Sequence, residues 1–303
     1  MTPRTRREIL RASALAALAL PLAACQTGYS DQPDPLAPLA DQARADAEAA
    51  KSVAGDLAQQ VAAARTAQAQ ALQTEVDRLN RPASAVAAVQ PSATGMAGLK
   101  QRLATARAQA EALVPTLPRY RVGLVAAVAA GCAGLQEVSD QLGPGTDPAQ
   151  VEPPASPVSA DAVAPLQTAL QAEQAAVWVY SLVSAFLSGA YVKSVNDGML
   201  EHQSRRDALL RMLTAAGATP APAEPAYVPP SPVTDSASAK SLVVTAESDT
   251  TAAWRAVLEQ TDDARLRGIA LNALLATARR GTRWRVAAGE TPAAVSMPGG
   301  QPT

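Results

Sequence analysis

The chain has 303 residues and a formal net charge of -1, and its 48% hydrophobic content includes only 3% aromatic residues. This near-neutral balance argues against a general nucleic-acid-binding protein, which would present a basic face. Alanine is the commonest hydrophobic residue, so the chain favours helices but supplies little side-chain bulk per residue for a core. We therefore predict an all-α protein with no nucleic-acid partner.

The first 24 residues have the features of a signal peptide. Arg6 and Arg7 lie in a basic segment, residues 12–22 form an apolar stretch, and small residues lead from there to Cys25. The stretch is shorter than the about 20 residues that a bilayer-spanning helix needs. Its length and flanks are typical of a cleaved export signal.

Two motifs in this leader resemble known targeting signals. Residues 5–11 (TRREILR) resemble the twin-arginine export signature, and residues 22–25 (LAAC) resemble the lipobox of bacterial lipoproteins. The resemblance implies export of a folded protein and attachment of a lipid to Cys25. Such an anchor would hold the chain on the extracytoplasmic face of the cell membrane without crossing it. An ordinary signal peptide with a cysteine by chance is the alternative.

Prolines and glycines separate the predicted helices along the chain. In the first half, helical sequence runs from 38 to 81 with a turn near Gly55, and further helices are predicted at 99–113 and 118–142. In the second half, helices are predicted at 162–187, from Gly189 to 216, at 236–260 and at 262–285. Each half thus has two helix pairs joined by a long connection, which is 217–235 in the second half.

This order predicts two consecutive antiparallel helical bundles. A long crossover between the second and third helices is the arrangement of the ferritin-like four-helix bundle. The two halves have arisen by duplication, or they resemble each other only because both are rich in alanine. The predicted domains are a tether (25–37), an N-terminal bundle (38–142), a linker (143–160), a ferritin-like domain (161–287) and a disordered tail (288–303).

Several ionisable residues fall on predicted inner faces of the second bundle, where charge must be paired to be tolerated. They are Glu173, His202, Arg206, Glu247 and Arg280. One interpretation is a buried network of salt bridges and hydrogen bonds. The other is a site for a metal or a small ligand, with Glu173 and His202 as the candidate metal ligands.

The same region resembles a known family. Residues 170–177 (LQAEQAAV) and 201–209 (EHQSRRDAL) are similar to the ferritin-like domain of uncharacterised actinobacterial proteins, a family of unknown function, and the resemblance covers about 162–286. Working di-iron sites take one Glu from each of two helices and a Glu-x-x-His pair from each of the other two. Here Met199 stands three residues before His202, which is the only histidine of the chain. We therefore expect no cofactor, with iron or another transition metal as the alternative.

These observations favour a lipid-anchored cell-envelope protein that is a non-enzymatic binding or structural module. A metal-binding redox protein of the ferritin-like class and a carrier of apolar ligands are the alternatives. The expected partners are the membrane, through the lipid on Cys25, and an envelope protein or a second copy of the chain. Cys132 then has no disulfide partner and is expected to be a small buried side chain.

Overall fold

The computed structural model describes residues 32–79, 81, 95–143 and 157–300. The leader, Cys25 and most of the predicted linker lie outside these ranges. Within them, every regular element is helical, which confirms the all-α prediction. The α-helices are α1 Ala37–Lys51, α2 Asp56–Leu79, α3 Gly95–Leu113, α4 Arg119–Leu135, α5 Ala160–Val183, α6 Val192–Ala215, α7 Ser236–Glu259 and α8 Ala264–Ala288.

Local sequence signals explain where the last two helices begin and end. The Asp235 carboxylate accepts a hydrogen bond from the backbone of Ser238 at 2.8 Å, which caps the start of α7. Asp263 caps α8 in the same way through Leu266, at 2.7 Å. Gly289 adopts the left-handed conformation (φ 77°) that terminates α8.

The helices of the second half form an antiparallel bundle that is closed on three sides. α5 packs against α6 and α7, and α7 packs against α8. The connection over 216–235 lies along α5, because Gln167 donates to the Thr219 carbonyl at 2.8 Å and Trp178 contacts Tyr227 at a ring-centroid distance of 5.6 Å. The side between α6 and α8 remains open.

The first half packs directly against this bundle through α4. This helix contacts both α7 and α8, and most of its circumference is buried. A helix that is apolar all round is expected to be enclosed on every side. The sequence of α4 (RYRVGLVAAVAAGCAGL) fits that position, with Cys132 fully buried among its neighbours.

The two predicted bundles therefore share one hydrophobic core. A single cluster of buried residues joins Leu72 and Val125 of the first half to Leu166 and Leu274 of the second. The linker composition suggested two separate units. Alanine-rich helices bury little apolar area each, so the halves gain stability by enclosing a common core.

The segment after α8 differs from the predicted disordered tail. Ala293 and Ala294 are buried, and the Ser296 carbonyl accepts a hydrogen bond from Gln68 of α2 at 2.8 Å. A Cβ atom at Gly131 of α4 would lie 2.1 Å from the same carbonyl oxygen, so glycine is needed there for this approach. Residues 289–300 thus belong to the packed structure, because they cover apolar surface on the first half.

No helix in the described ranges combines the length and the apolar character needed to cross a bilayer.

Candidate functional site

Four charged residues meet in the interior of the second half, and we call them the buried ion cluster: Glu173 of α5, His202 of α6, Glu247 of α7 and Arg280 of α8. His202 Nδ1 lies 2.6 Å from Glu173 Oε2, and His202 Nε2 lies 3.1 Å from Glu247 Oε1. The side chains of these three residues are completely buried. The imidazole is therefore held between two carboxylates from two different helices.

Arg280 completes the cluster from the fourth helix. Its Nη1 lies 3.3 Å from Glu247 Oε1, and its Nη2 contacts the Glu201 carboxylate. Burial lowers the pKa of the Arg280 guanidinium from its ordinary value. Arg280 Nη1 also lies 3.3 Å from His202 Nε2. With a protonated His202, two cations share the carboxylates of Glu173, Glu247 and the partly exposed Glu201, and this pairing is what permits the charges to be buried.

Three aromatic side chains lie beside the cluster, and two of them donate hydrogen bonds to its carboxylates. Trp254 Nε1 donates to Glu173 Oε1 at 2.6 Å, and the Tyr180 hydroxyl donates to Glu247 Oε1 at 2.5 Å. Trp284 Nε1 donates in turn to the Tyr180 oxygen at 3.0 Å. Burial, reinforced by the neighbouring Glu247, raises the pKa of Tyr180 well above its ordinary value, so the phenol stays protonated and acts as a donor.

The carboxylates decide the protonation state of His202. Burial alone would lower the pKa of the imidazole, but the charges of Glu173 and Glu247 outweigh it and raise that pKa to about 9. For Glu173, burial acts to raise the pKa, and the adjacent His202 reverses the effect so that the pKa lies below its usual value. The raised pKa of His202 and the lowered pKa of Glu173 are those of an imidazolium paired with a carboxylate near neutral pH.

This geometry does not fit a metal centre built on His202. A metal takes the lone pair of a neutral imidazole nitrogen, whereas both ring nitrogens here are engaged by carboxylates. Those carboxylates bond to different ring nitrogens, so they do not converge on a common point beside the ring. Among the described residues, no group of three or more His, Cys, Asp or Glu side chains could hold a metal ion.

Arg206 does not join the other residues predicted for the inner faces. Its side chain is 32% exposed and pairs with the adjacent Asp207 at 2.8 Å. Four residues along a helix rotate the side chain about 40° past the position of His202, and the long arginine reaches solvent from there. The residue before it, Arg205, pairs with Glu201 and is more deeply buried.

Tyr180, Trp254 and Trp284 were not predicted as site residues, although the sequence carried a signal for the first two. Tyr180 follows Glu173 by seven residues, and Trp254 follows Glu247 by seven, so each pair lies on one helix face. A buried Trp N–H or Tyr O–H needs an acceptor. The shared inner face therefore pointed to a carboxylate acceptor, which for each aromatic side chain lies on the facing helix: Trp254 bonds to Glu173 and Tyr180 to Glu247.

A groove runs along the open side of the bundle between α6 and α8. Its volume is about 600 Å³, within the range of small-molecule sites. Trp254 and Arg280 form part of its wall, so the groove borders the buried ion cluster. Four arginines and two acidic residues line it, together with a set of small apolar side chains.

The fold and the cluster define an all-α bundle protein with a buried network of paired charges. Residues 165–302 match the family described as "Domain of unknown function (DUF4439)". The chain is also similar to a conserved hypothetical protein, rv2844, from Mycobacterium tuberculosis, whose crystal structure is known. The two sequences are 36% identical, and the match covers 43% of this chain and 91% of that one, with a TM-score of 0.42. Residues 165–302 of the chain thus belong to the DUF4439 family. No curated protein matches the chain.

Proposed function

We propose that this protein is a non-enzymatic binding module of the cell envelope, held at the membrane by a lipid on Cys25. In this proposal its second half is a ferritin-like bundle in which the buried ion cluster stands where related bundles hold a metal. The observation that carries the proposal is the pairing of both His202 nitrogens with carboxylates, at 2.6 and 3.1 Å. That pairing leaves the only imidazole of the chain without a free lone pair.

Elemental analysis of the full chain, purified from its expression host, tests the proposal. We expect substoichiometric transition metal in the wild-type protein. A His202→Gln variant would be measured beside it. One bound metal per chain that disappears in this variant would overturn the proposal and favour a metal-binding redox protein, which the grouping of Glu173, His202 and Glu247 in one interior suggests as the second candidate.

The anchoring part of the proposal rests on the leader sequence and has its own test. A Cys25→Ser variant should move from the membrane fraction to the soluble fraction, because the lipid would have no attachment site. Cys132→Ser is the matched control, since Cys132 is a buried side chain and its replacement should leave the protein in the membrane fraction. Retention of the Cys25→Ser variant at the membrane would contradict a lipid anchor at this residue.

A further inference from the structure

The groove between α6 and α8 has two chemically different parts. Tyr191, just before α6, stacks on Trp284 at a ring-centroid distance of 5.8 Å, and Glu201 contacts Arg280, so α6 and α8 run antiparallel and residues after Glu201 face residues before Arg280. The part beyond this contact is lined mainly by small or apolar side chains, which are Ala208 and Met212 of α6 and Ile269, Ala273 and Ala276 of α8, with Asn272 of α8 as its polar member. The part at the contact is charged.

A guanidinium with one unpaired nitrogen lies at the junction between the two parts. The side chain of Arg205 is only 13% exposed, and one of its terminal nitrogens pairs with Glu201. The other, Nη1, is buried and has no hydrogen-bond partner within the described part of the chain. A buried donor without an acceptor is unfavourable, and a carboxylate is among the strong acceptors for a guanidinium.

The charges around Arg205 also favour an anion. The Glu201 carboxylate is shared between Arg205 and Arg280, so one negative group faces two positive ones. The other acidic residue of the groove, Asp197, pairs with Lys193 at 2.5 Å on the outer surface of α6. The nearby Glu173 carboxylate also attracts Arg205, but its two oxygens are bonded to His202 and Trp254.

We propose that this groove binds an amphiphile with a single carboxylate head and an unbranched aliphatic chain. The carboxylate accepts hydrogen bonds from the Arg205 guanidinium, and the chain extends over Ala208, Ala273 and Ala276 towards Met212. The seven residues from Arg205 to Met212 rise by about 10 Å along α6, which suits a chain of medium length. This inference rests on the proposed binding function and names its site and ligand class.

Decanoate, below its micelle concentration, is the probe for this site. Trp254 and Trp284 line the groove, so their fluorescence reports binding, and calorimetry gives the stoichiometry. We expect saturable 1:1 binding to the full chain, with decanol at least about tenfold weaker because it lacks the charge. Acetate lacks the chain and should not bind measurably. Equal affinities for decanoate and decanol would overturn the proposed role of Arg205.

Matched variants separate the site from general effects. Arg205→Gln should weaken decanoate binding by about tenfold or more and leave decanol unchanged. Arg211→Gln removes the same charge from an exposed position on the same helix and should have no effect. Ala276→Leu should abolish binding of both probes by filling the apolar part. Helical circular dichroism and the unfolding midpoint establish that each variant is folded.

The outcomes distinguish this inference from the proposed function. A metal-free wild-type protein that does not bind decanoate would overturn the inference about the ligand and leave the binding module in place. Equal losses of decanoate affinity in Arg205→Gln and Arg211→Gln would likewise overturn it. Stoichiometric metal in the same sample would instead overturn the proposed function.

Discussion

At the scale of single residues, the buried ion cluster is stable because its acceptors are matched by donors. Glu173 accepts from His202 and Trp254, one on each carboxylate oxygen, and Glu247 accepts from Tyr180 and His202. A buried ion pair is often no more stable than a well-packed apolar substitute, whereas removal of one partner is strongly destabilising. The cluster should therefore respond sharply to changes that leave one charge alone.

Glu173→Leu creates such a case. It leaves the His202 imidazolium with one carboxylate instead of two and leaves the Trp254 N–H without its acceptor. We expect a loss of about 3 kcal/mol or more in the free energy of unfolding, measured by urea denaturation. Glu224→Leu, at an exposed position in the connection between α6 and α7, is the control. A loss below about 0.5 kcal/mol for Glu173→Leu would mean that the cluster is hydrated.

His202 should also make stability depend on pH. The folded-state pKa of about 9 lies above the ordinary value of 6.5, so the folded chain retains a proton that the unfolded chain releases between these values. The contribution is complete below pH 6.5, declines as the pH rises to about 9, and amounts to about 3 kcal/mol. Glu173 acts in the opposite sense, because its lowered pKa adds stability above 4.5 that is lost in acid.

Urea denaturation at several pH values between 6 and 9.5 measures this effect. The comparison protein is His202→Gln, since subtraction of its profile removes the contributions of all other groups. His202 is the only histidine of the chain, so the difference belongs to this site. Parallel profiles for the two proteins would show that the imidazole is not held as a cation.

At the scale of helices, close approach between α5 and α6 depends on Gly198. A Cβ atom added there would lie 2.4 Å from the ring of Tyr180. The ring cannot move freely, because its hydroxyl is bonded to Glu247 and accepts from Trp284. Glycine is thus retained inside a helix, although alanine would be about 1 kcal/mol better there by intrinsic propensity.

Gly198→Ala should therefore destabilise the protein despite this gain. We expect a net loss of about 1 kcal/mol or more, because overpacking a core typically costs about 1–3 kcal/mol. Asn196→Ala, two residues earlier and exposed, provides the propensity gain without the clash and should be neutral or slightly stabilising. Urea denaturation of both variants makes the comparison, and equal stabilisation of the two would contradict the close contact.

The helices could be predicted well from the sequence because their limits depend on local chemistry. Pro, Gly and capping Asp residues act within one turn, and the prediction of 236–260 for α7 differs from Ser236–Glu259 by one residue at its C-terminal end. The predicted end of α4 at 142 was too late, since the chain turns after Leu135 and brings Leu142 back into the core. That return depends on contacts between residues that are distant in sequence, and the periodicity of one segment does not reveal such contacts.

The site was predictable in part for the same reason. Periodicity placed Glu173, His202, Glu247 and Arg280 on inner faces, because each face is a property of one helix. Periodicity could not predict that the Arg206 side chain reaches solvent or that Arg205 borders a groove, because both depend on the distance between α6 and α8. Spacing between helices is set by side-chain volume across the interface, which a single sequence does not reveal.

At the scale of the whole molecule, Arg267 of α8 links the two halves. Its guanidinium is buried and donates to the carbonyls of Val114, Pro115 and Leu117 in the connection between α3 and α4, the last at 2.6 Å. It also donates to the Thr261 carbonyl within its own half, at 2.8 Å. Together with the shared core, these bonds couple the folding of one half to that of the other.

We therefore expect the protein to unfold in a single cooperative transition. Trp178, Trp254 and Trp284 all lie in the second half, so their fluorescence follows that half alone, whereas far-ultraviolet circular dichroism follows every helix. The two urea curves should coincide in midpoint and slope. Arg267→Met should shift both together by about 2 kcal/mol or more, because buried carbonyls lose their donors, and Arg265→Met, at an exposed position on α8, should shift neither. A fluorescence transition separate from the dichroism transition in the wild-type protein would instead establish two independent domains.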